Sequence, residues 1–395
     1  MEQKQNQVRA EKFSCKKGEQ TIRGLQVMPE GFDRSRKYGA IIFSHGFRGS
    51  YLDMEGICRK FAGLGYGAFC FSFCGGGQQS DGDEVKSDGS SLDMCIESEV
   101  SDLLAVKDYV KHLEYVDEQK IVLAGVSQGG FVSGVAAARC GKEIRKLVMI
   151  CPALCIPDHA RRGRLGGAVY DVKEVPERID CGNTVLGRGF HEEASGMDAF
   201  LELSPYQGPV LLIHGLDDGV VDYSYAVRAK ENYRKGQCHL QLIRNAGHGF
   251  SAEHWECIGE SMRQFLEGRR EILTIRIIVT DSEVREAEEE RTIRIYFTGY
   301  CECASFQGTV LPGGCDTRVQ RKGEPESVRA EYTLLGRDMD GVKCYLHIVN
   351  RLCGEEYKPL IHTNSPALSW MNDTEFTAVV EGGDGGPTVR IFAEQ

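Results

Sequence analysis

The period of the hydrophobic pattern changes once along this chain, near Arg270, and a single domain with one kind of layer cannot accommodate that change. Before it, short apolar runs alternate with helical patterns. Ala40 to His45, Gly67 to Phe73, Lys120 to Gly125, Arg145 to Cys151 and Pro209 to Gly215 are near-continuously apolar. Such runs predict strands of a parallel sheet covered on both faces. Between them, Met54, Ile57, Cys58 and Phe61 recur at helical spacing, as do Trp255, Ile258, Met262 and Phe265. Strand, helix, strand, helix predicts an α/β sheet with right-handed crossovers. Phe13 and the run Ile22 to Val27 predict an antiparallel hairpin at its edge.

Beyond Arg270 the period becomes two. Leu273, Ile275, Ile277 and Val279 alternate with other residues, as do Val328, Ala330, Tyr332 and Leu334, and finally Val389, Ile391 and Ala393. Short strands with glycine-rich turns, one of them Gly382 to Gly386, predict an all-antiparallel, barrel-like domain. The expected division is 1–270 for the α/β domain and 271–395 for the second, and 395 residues suffice for two cores. Within the first domain, residues 153–207 break the alternation on the side where strand carboxyl ends emerge, which predicts a lid.

Composition narrows the function classes. A net charge of −11 argues against nonspecific nucleic-acid or anionic-membrane partners. The first residues lack an apolar leader and no apolar stretch has membrane-spanning length, so a cytoplasmic location is expected. Sixteen cysteines scattered through apolar runs are expected to be reduced, buried thiols. Cys301, Cys303 and Cys315 lack the paired spacing of a zinc site, and no metal or organic cofactor is expected. Gly75 to Gln78 lacks a phosphate-binding signature and is read as a plain loop.

The chemical signal is Gly125-Val126-Ser127-Gln128-Gly129-Gly130, directly after an apolar strand and before an apolar helix. A serine on such a turn presents its hydroxyl above the sheet, and the following N–H, that of Gln128, can stabilise an oxyanion. Serine needs a base. His248, between glycines in a loop before the last helix of the domain, fits that role, whereas His254 is expected on a helix surface. The order serine, acid, histidine suits this kind of turn. His214-Gly-Leu-Asp-Asp offers Asp217 and Asp218, of which Asp218 is preferred, and Asp222 reads as a helix cap. A second oxyanion donor is expected from the Phe47 N–H in His45-Gly-Phe-Arg-Gly, with His45 structural.

With HGFRG, GVSQGG, CPAL, VPERI, HGLDDGVV and NAGHGF in order, residues 10–268 resemble the feruloyl (cinnamoyl) esterase branch of bacterial α/β-hydrolases. The resemblance implies an α/β-hydrolase fold, a triad of Ser127, Asp218 and His248, oxyanion amides from Phe47 and Gln128, and a small lid between the sixth and seventh strands. The branch reads a phenolic hydroxyl with an acid, a Gln and a Tyr in the lid. Here Asp158 stands near the place of the acid, no Gln occurs between Cys151 and Tyr206, and His191 stands near the place of the Tyr. Arg161, Arg162 and Arg164 are candidates to attract an anionic substrate. Residues 289–395 resemble a family of small bacterial and fungal β-barrel domains of uncharacterised function, through TVLPGGCD, VRAEYTLLG and VRIFAE.

The expected activity is therefore hydrolysis of a small, aromatic or anionic carboxylic ester. Two rivals stand beside it: an amidase or peptidase using the same three side chains, and a ligand-binding protein whose barrel is the working part. The second domain is also a candidate surface for homo-oligomer formation.

Overall fold

The structure is a computed structural model, and it describes residues 8–77, 80–234, 236–303, 305–354, 356–383 and 386–394. It divides into two compact units, Met1–Arg263 and Gln264–Gln395.

In the first unit, β1 (Arg9–Lys17) and β2 (Gln20–Met28) form the expected antiparallel hairpin. Then follow β3 (Tyr38–Ser44), α1 (Tyr51–Gly63), β4 (Gly67–Phe71), α2 (Ile96–Lys111), β5 (Val116–Val126), α3 (Gln128–Cys140) and β6 (Lys146–Ile150). The region read as a lid is more regular than its composition suggested. It holds α4 (Ile156–Arg161), a ribbon of β7 (Arg164–Leu165) and β8 (Ala168–Val169), a ribbon of β9 (Arg178–Asp180) and β10 (Val185–Gly187), then α5 (Arg188–Gly196) and α6 (Ala199–Leu203). The unit closes with β11 (Val210–Gly215), α7 (Ser224–Asn232), β12 (Cys238–Ile243) and α8 (Ala252–Glu267), the last of which runs past its boundary.

The eight-stranded sheet has the order β1-β2-β4-β3-β5-β6-β11-β12, parallel from β4 to β12. Consecutive residues of a strand face opposite sides, so a run in which every residue is buried must be covered on both. Ile41, Ile42 and Phe43 in β3 and Leu212 and Ile213 in β11 are all fully buried. Each such side chain contributes about 1.5–3 kcal/mol by leaving water, which makes the central strands the rigid floor of the unit. The loops after β5, β11 and β12 leave the same carboxyl edge from near-neighbouring strands.

The second unit is antiparallel throughout. Its strands are β13 (Arg269–Glu286), β14 (Glu290–Glu302), β15 (Phe306–Val310), β16 (Gly314–Arg321), β17 (Ser327–Asp338), β18 (Lys343–Cys353), β19 (Glu356–Thr363), β20 (Phe376–Glu381) and β21 (Thr388–Glu394). β15 and β16 pair in succession with both β14 and β17, so they act as one strand broken at Leu311 to Gly313. β21 pairs with β13, and β13 with β14, which closes an eight-strand barrel. Alternate residues such as Leu273, Ile275, Leu334, Leu346, Ile348 and Ile361 make one buried cluster, so side chains fill the interior.

All sixteen cysteines are free thiols. Among the described residues, no helix is long and apolar enough to cross a membrane. Gln78, at the end of the glycine-rich loop, and Asp384 and Gly385, within the expected turn, lie outside the described residues.

Candidate active site

The turn between β5 and α3 is too sharp for side chains on its flanks. A Cβ on Gly125 would lie 2.1 Å from the Gly129 carbonyl oxygen, and one on Gly129 would lie 2.3 Å from that of His45. Backbone atoms cannot move aside as a flexible side chain can, so both positions require glycine. Ser127 itself adopts φ +55° and ψ −122°, a conformation that costs a non-glycine residue about 1–3 kcal/mol. It stands at the N-cap of α3, where serine usually turns its hydroxyl back onto the helix, yet it makes no cap bond. The strained backbone sends the hydroxyl elsewhere.

It goes to His248. Ser127 Oγ lies 2.9 Å from His248 Nε2, and His248 Nδ1 lies 2.8 Å from Asp218 Oδ2. Three residues far apart in sequence thus form one hydrogen-bonded chain above the carboxyl edge of the sheet. Asp218 is buried and Asp217 is exposed. Burial alone would raise the Asp218 carboxyl, but hydrogen bonds from His214, His248 and the Val221 and Val220 amides outweigh it and hold the group well below the usual carboxylate range. The group is therefore a carboxylate at neutral pH, and it favours the His248 tautomer with hydrogen on Nδ1 and a free lone pair on Nε2.

Gly46, Phe47, Ser127, Gln128 and His248 line one cleft of about 1100 Å³. Among the described residues, neither the Phe47 N–H nor the Gln128 N–H meets an acceptor, which leaves both for an anionic oxygen. His45 is buried beneath them: its Nε2 accepts the Phe73 N–H at 3.1 Å and its Nδ1 lies 2.7 Å from the Gly46 carbonyl oxygen. It props the bend. Cys151, Asp218 and His248 each present a ligand-type atom within 4.8 Å of the others. The Cys151 thiol is pushed up to about 12 by burial and by Asp218, and the other two groups are bonded to each other.

The lid residues singled out in the sequence mostly serve the lid itself. Asp158 takes a hydrogen bond from Arg161 at 2.7 Å and from the Tyr225 hydroxyl at 2.8 Å. Arg161 also donates to the Ser195 and Met197 carbonyls. His191 is buried against Tyr170, with its Nδ1 2.9 Å from the phenol oxygen. Arg162 is exposed. Of the five, Arg164 alone is among the residues lining the cleft. The arginines therefore do not act as one cluster, because α4 places Arg161 one turn from Asp158 and the pair closes on itself.

Three contributors were not singled out in the sequence. His159 lines the cleft. His214, fully buried at the end of β11, lies 3.3 Å from Asp218 Oδ2 through Nε2 and 2.9 Å from the Val221 carbonyl oxygen; its place four residues before the acid was the available signal. Glu99 in α2 is fully buried and accepts the Gln128 side-chain amide on both carboxyl oxygens at 2.8 Å.

Burial raises the Glu99 carboxyl from 4.5 to about 8. An acid raised in the folded state holds its proton there while the unfolded chain has lost it. Folding stability therefore falls as pH climbs from about 4.5 towards 8. Denaturant unfolding at pH 5 and pH 8 should show this decline in the parent protein and a flatter response in Glu99→Gln. An unchanged decline in the variant would assign it to other groups.

Residues 35–174 match the family described as serine aminopeptidase, S33. No curated protein is significantly similar to the chain. Est1E from Butyrivibrio proteoclasticus, solved with ferulic acid bound, is 26% identical with a TM-score of 0.57, over 65% of this chain and 98% of that one. The α/β-hydrolase GrgF from Penicillium sp. sh18 is 17% identical with a TM-score of 0.51, over 66% and 98% of the two chains. The mouse α/β-hydrolase domain-containing protein 10 is 17% identical with a TM-score of 0.50, over 65% and 98%. The first domain has the α/β-hydrolase fold, and a closed barrel follows it.

Proposed function

We propose that this chain is a serine carboxylic-ester hydrolase that works through an acyl-enzyme on Ser127. The observation that carries the reading is the chain of two hydrogen bonds from Ser127 through His248 to Asp218, with two unengaged amides beside it. As the ester carbonyl approaches, Ser127 Oγ attacks its carbon and the Oγ proton passes to His248 Nε2. The positive imidazole is held by Asp218, and the oxyanion by the Phe47 and Gln128 N–H groups. Collapse of the tetrahedral intermediate gives the alcohol, which leaves with the proton from His248. Water then repeats the sequence on the acyl-serine and releases the acid.

The likeness to Est1E supports an ester, and the ferulic acid bound there supports trying aromatic acyl groups first. The serine aminopeptidase match favours a second reading, cleavage of an amide with the same three residues. An ester panel and a fluorogenic amide panel on the purified protein, read by mass spectrometry, separate the two. Ester turnover lost in Ser127→Ala supports the proposal. Turnover of amides alone overturns it in favour of the second reading.

A further inference from the structure

A guanidinium lining a cleft without a carboxylate partner is an unbalanced charge, and a group of opposite sign gains more there than in water. Two arginines in the Ser127 cleft are in this state. Arg48 follows Phe47 in the oxyanion bend, and its Nη2 donates to the carbonyls of Gly166 and Cys181, each at 2.6 Å. Those carbonyls anchor it without neutralising it, and its Nε is buried with no hydrogen-bond partner. Arg164 is exposed on β7, two residues before the carbonyl that Arg48 grips. Among the described residues neither has a carboxylate within 4.0 Å, whereas Arg161 has Asp158 and Arg188 has Glu177.

The nearby carboxylates are hydrogen-bonded elsewhere and pair with neither arginine. Asp53, among the residues lining the cleft, accepts the Ser50 N–H at 2.8 Å and so holds the start of α1, and Asp218 is engaged by His248. Asp180, beside Cys181 in the lid, accepts the Gly182 N–H. His159, also lining the cleft, is made less basic, first by burial and then by the charges of Arg162 and Arg164. In a chain of net charge −11, Arg48 and Arg164 are cations of the cleft that have no carboxylate partner among the described residues.

We propose that the substrate is an ester that also carries a carboxylate, paired with the Arg164 guanidinium in the cleft and drawn there also by the charge of Arg48. This rests on the ester-hydrolase reading and names the substrate class. It moves the anion site from the lid arginines as a group to one of them together with an arginine of the oxyanion bend. Arginine suits the role because its planar donors match a carboxylate.

The test uses two matched pairs of chromogenic esters. Mono-4-nitrophenyl octanedioate against 4-nitrophenyl octanoate places the carboxylate on the acyl side. 3-Carboxy-4-nitrophenyl butyrate against 4-nitrophenyl butyrate, each corrected for its spontaneous rate, places it on the alcohol side. In one pair kcat/KM should favour the anionic ester, the preference should shrink as salt is raised, and Arg164→Gln should reduce it about tenfold. Arg48→Gln should reduce it as well. A preference near one in both pairs, or one that Arg164→Gln leaves unchanged, overturns the proposal. Failure of the parent reading looks different: no ester is cleaved faster than by Ser127→Ala. The subsite is then judged by whether octanedioate raises the unfolding temperature of the parent protein and not of Arg164→Gln. Equal effects on both would end it.

Discussion

Replacing Ser127 with alanine lowers kcat/KM for 4-nitrophenyl butyrate by about 10⁴- to 10⁶-fold and leaves the unfolding transition in place. The size follows from what is removed. Without Oγ there is no acyl-enzyme, and what remains is water attack beside the oxyanion amides. The fold should tolerate the change because the hydroxyl makes no cap bond to α3 and its recorded partner is His248. Alanine keeps the Cβ that already occupies the strained turn. Steady-state rates with enough enzyme to see the residual activity, together with a thermal melt, check both halves. A loss smaller than tenfold would mean that another group performs the attack.

The second large effect distinguishes two neighbouring carboxylates. Asp218→Asn should reduce kcat by about 10⁴-fold, because a neutral amide no longer enforces hydrogen on Nδ1 or stabilises the imidazolium. Asp217→Asn should change it by less than about threefold, since that side chain is exposed while its backbone N–H is what bonds to the Ala246 carbonyl. Asp218 also accepts the Val220 and Val221 amides and lies near His214. The asparagine variant should therefore lose some stability as well, because its one amide oxygen cannot replace both Oδ1, which takes the two valine amides, and Oδ2, which faces His248 and His214. Pre-steady-state acylation of each variant separates the chemical loss from the structural one. The reverse ranking would move the acid to Asp217.

Much of this was legible in the sequence for a definite reason. β3, β5 and β11 are read from continuous apolar runs because both sheet faces are covered, and the barrel strands from period two because only one side faces a core. Gly125 and Gly129 are legible because the turn leaves no room for a Cβ. What was not legible depends on contacts between distant segments. The β7–β8 and β9–β10 ribbons have two or three residues per strand, too short for any period to register. The arginines of the lid look alike in sequence, and only the folded lid gives Arg161 to Asp158 and Arg164 to the cleft. Arg48 was passed over because its motif was read for the Phe47 amide, and Glu99 because a single acid on an apolar helix face shows nothing of its partner.

One measurement bears most directly on the claim that His248 activates Ser127. The protein is treated with a fluorophosphonate, the rate of modification is followed by intact mass, and the site is mapped by peptide sequencing. The account predicts a single adduct, on Ser127, formed at least a hundredfold more slowly in His248→Ala. An adduct on another residue, or equal rates in the two proteins, would contradict it.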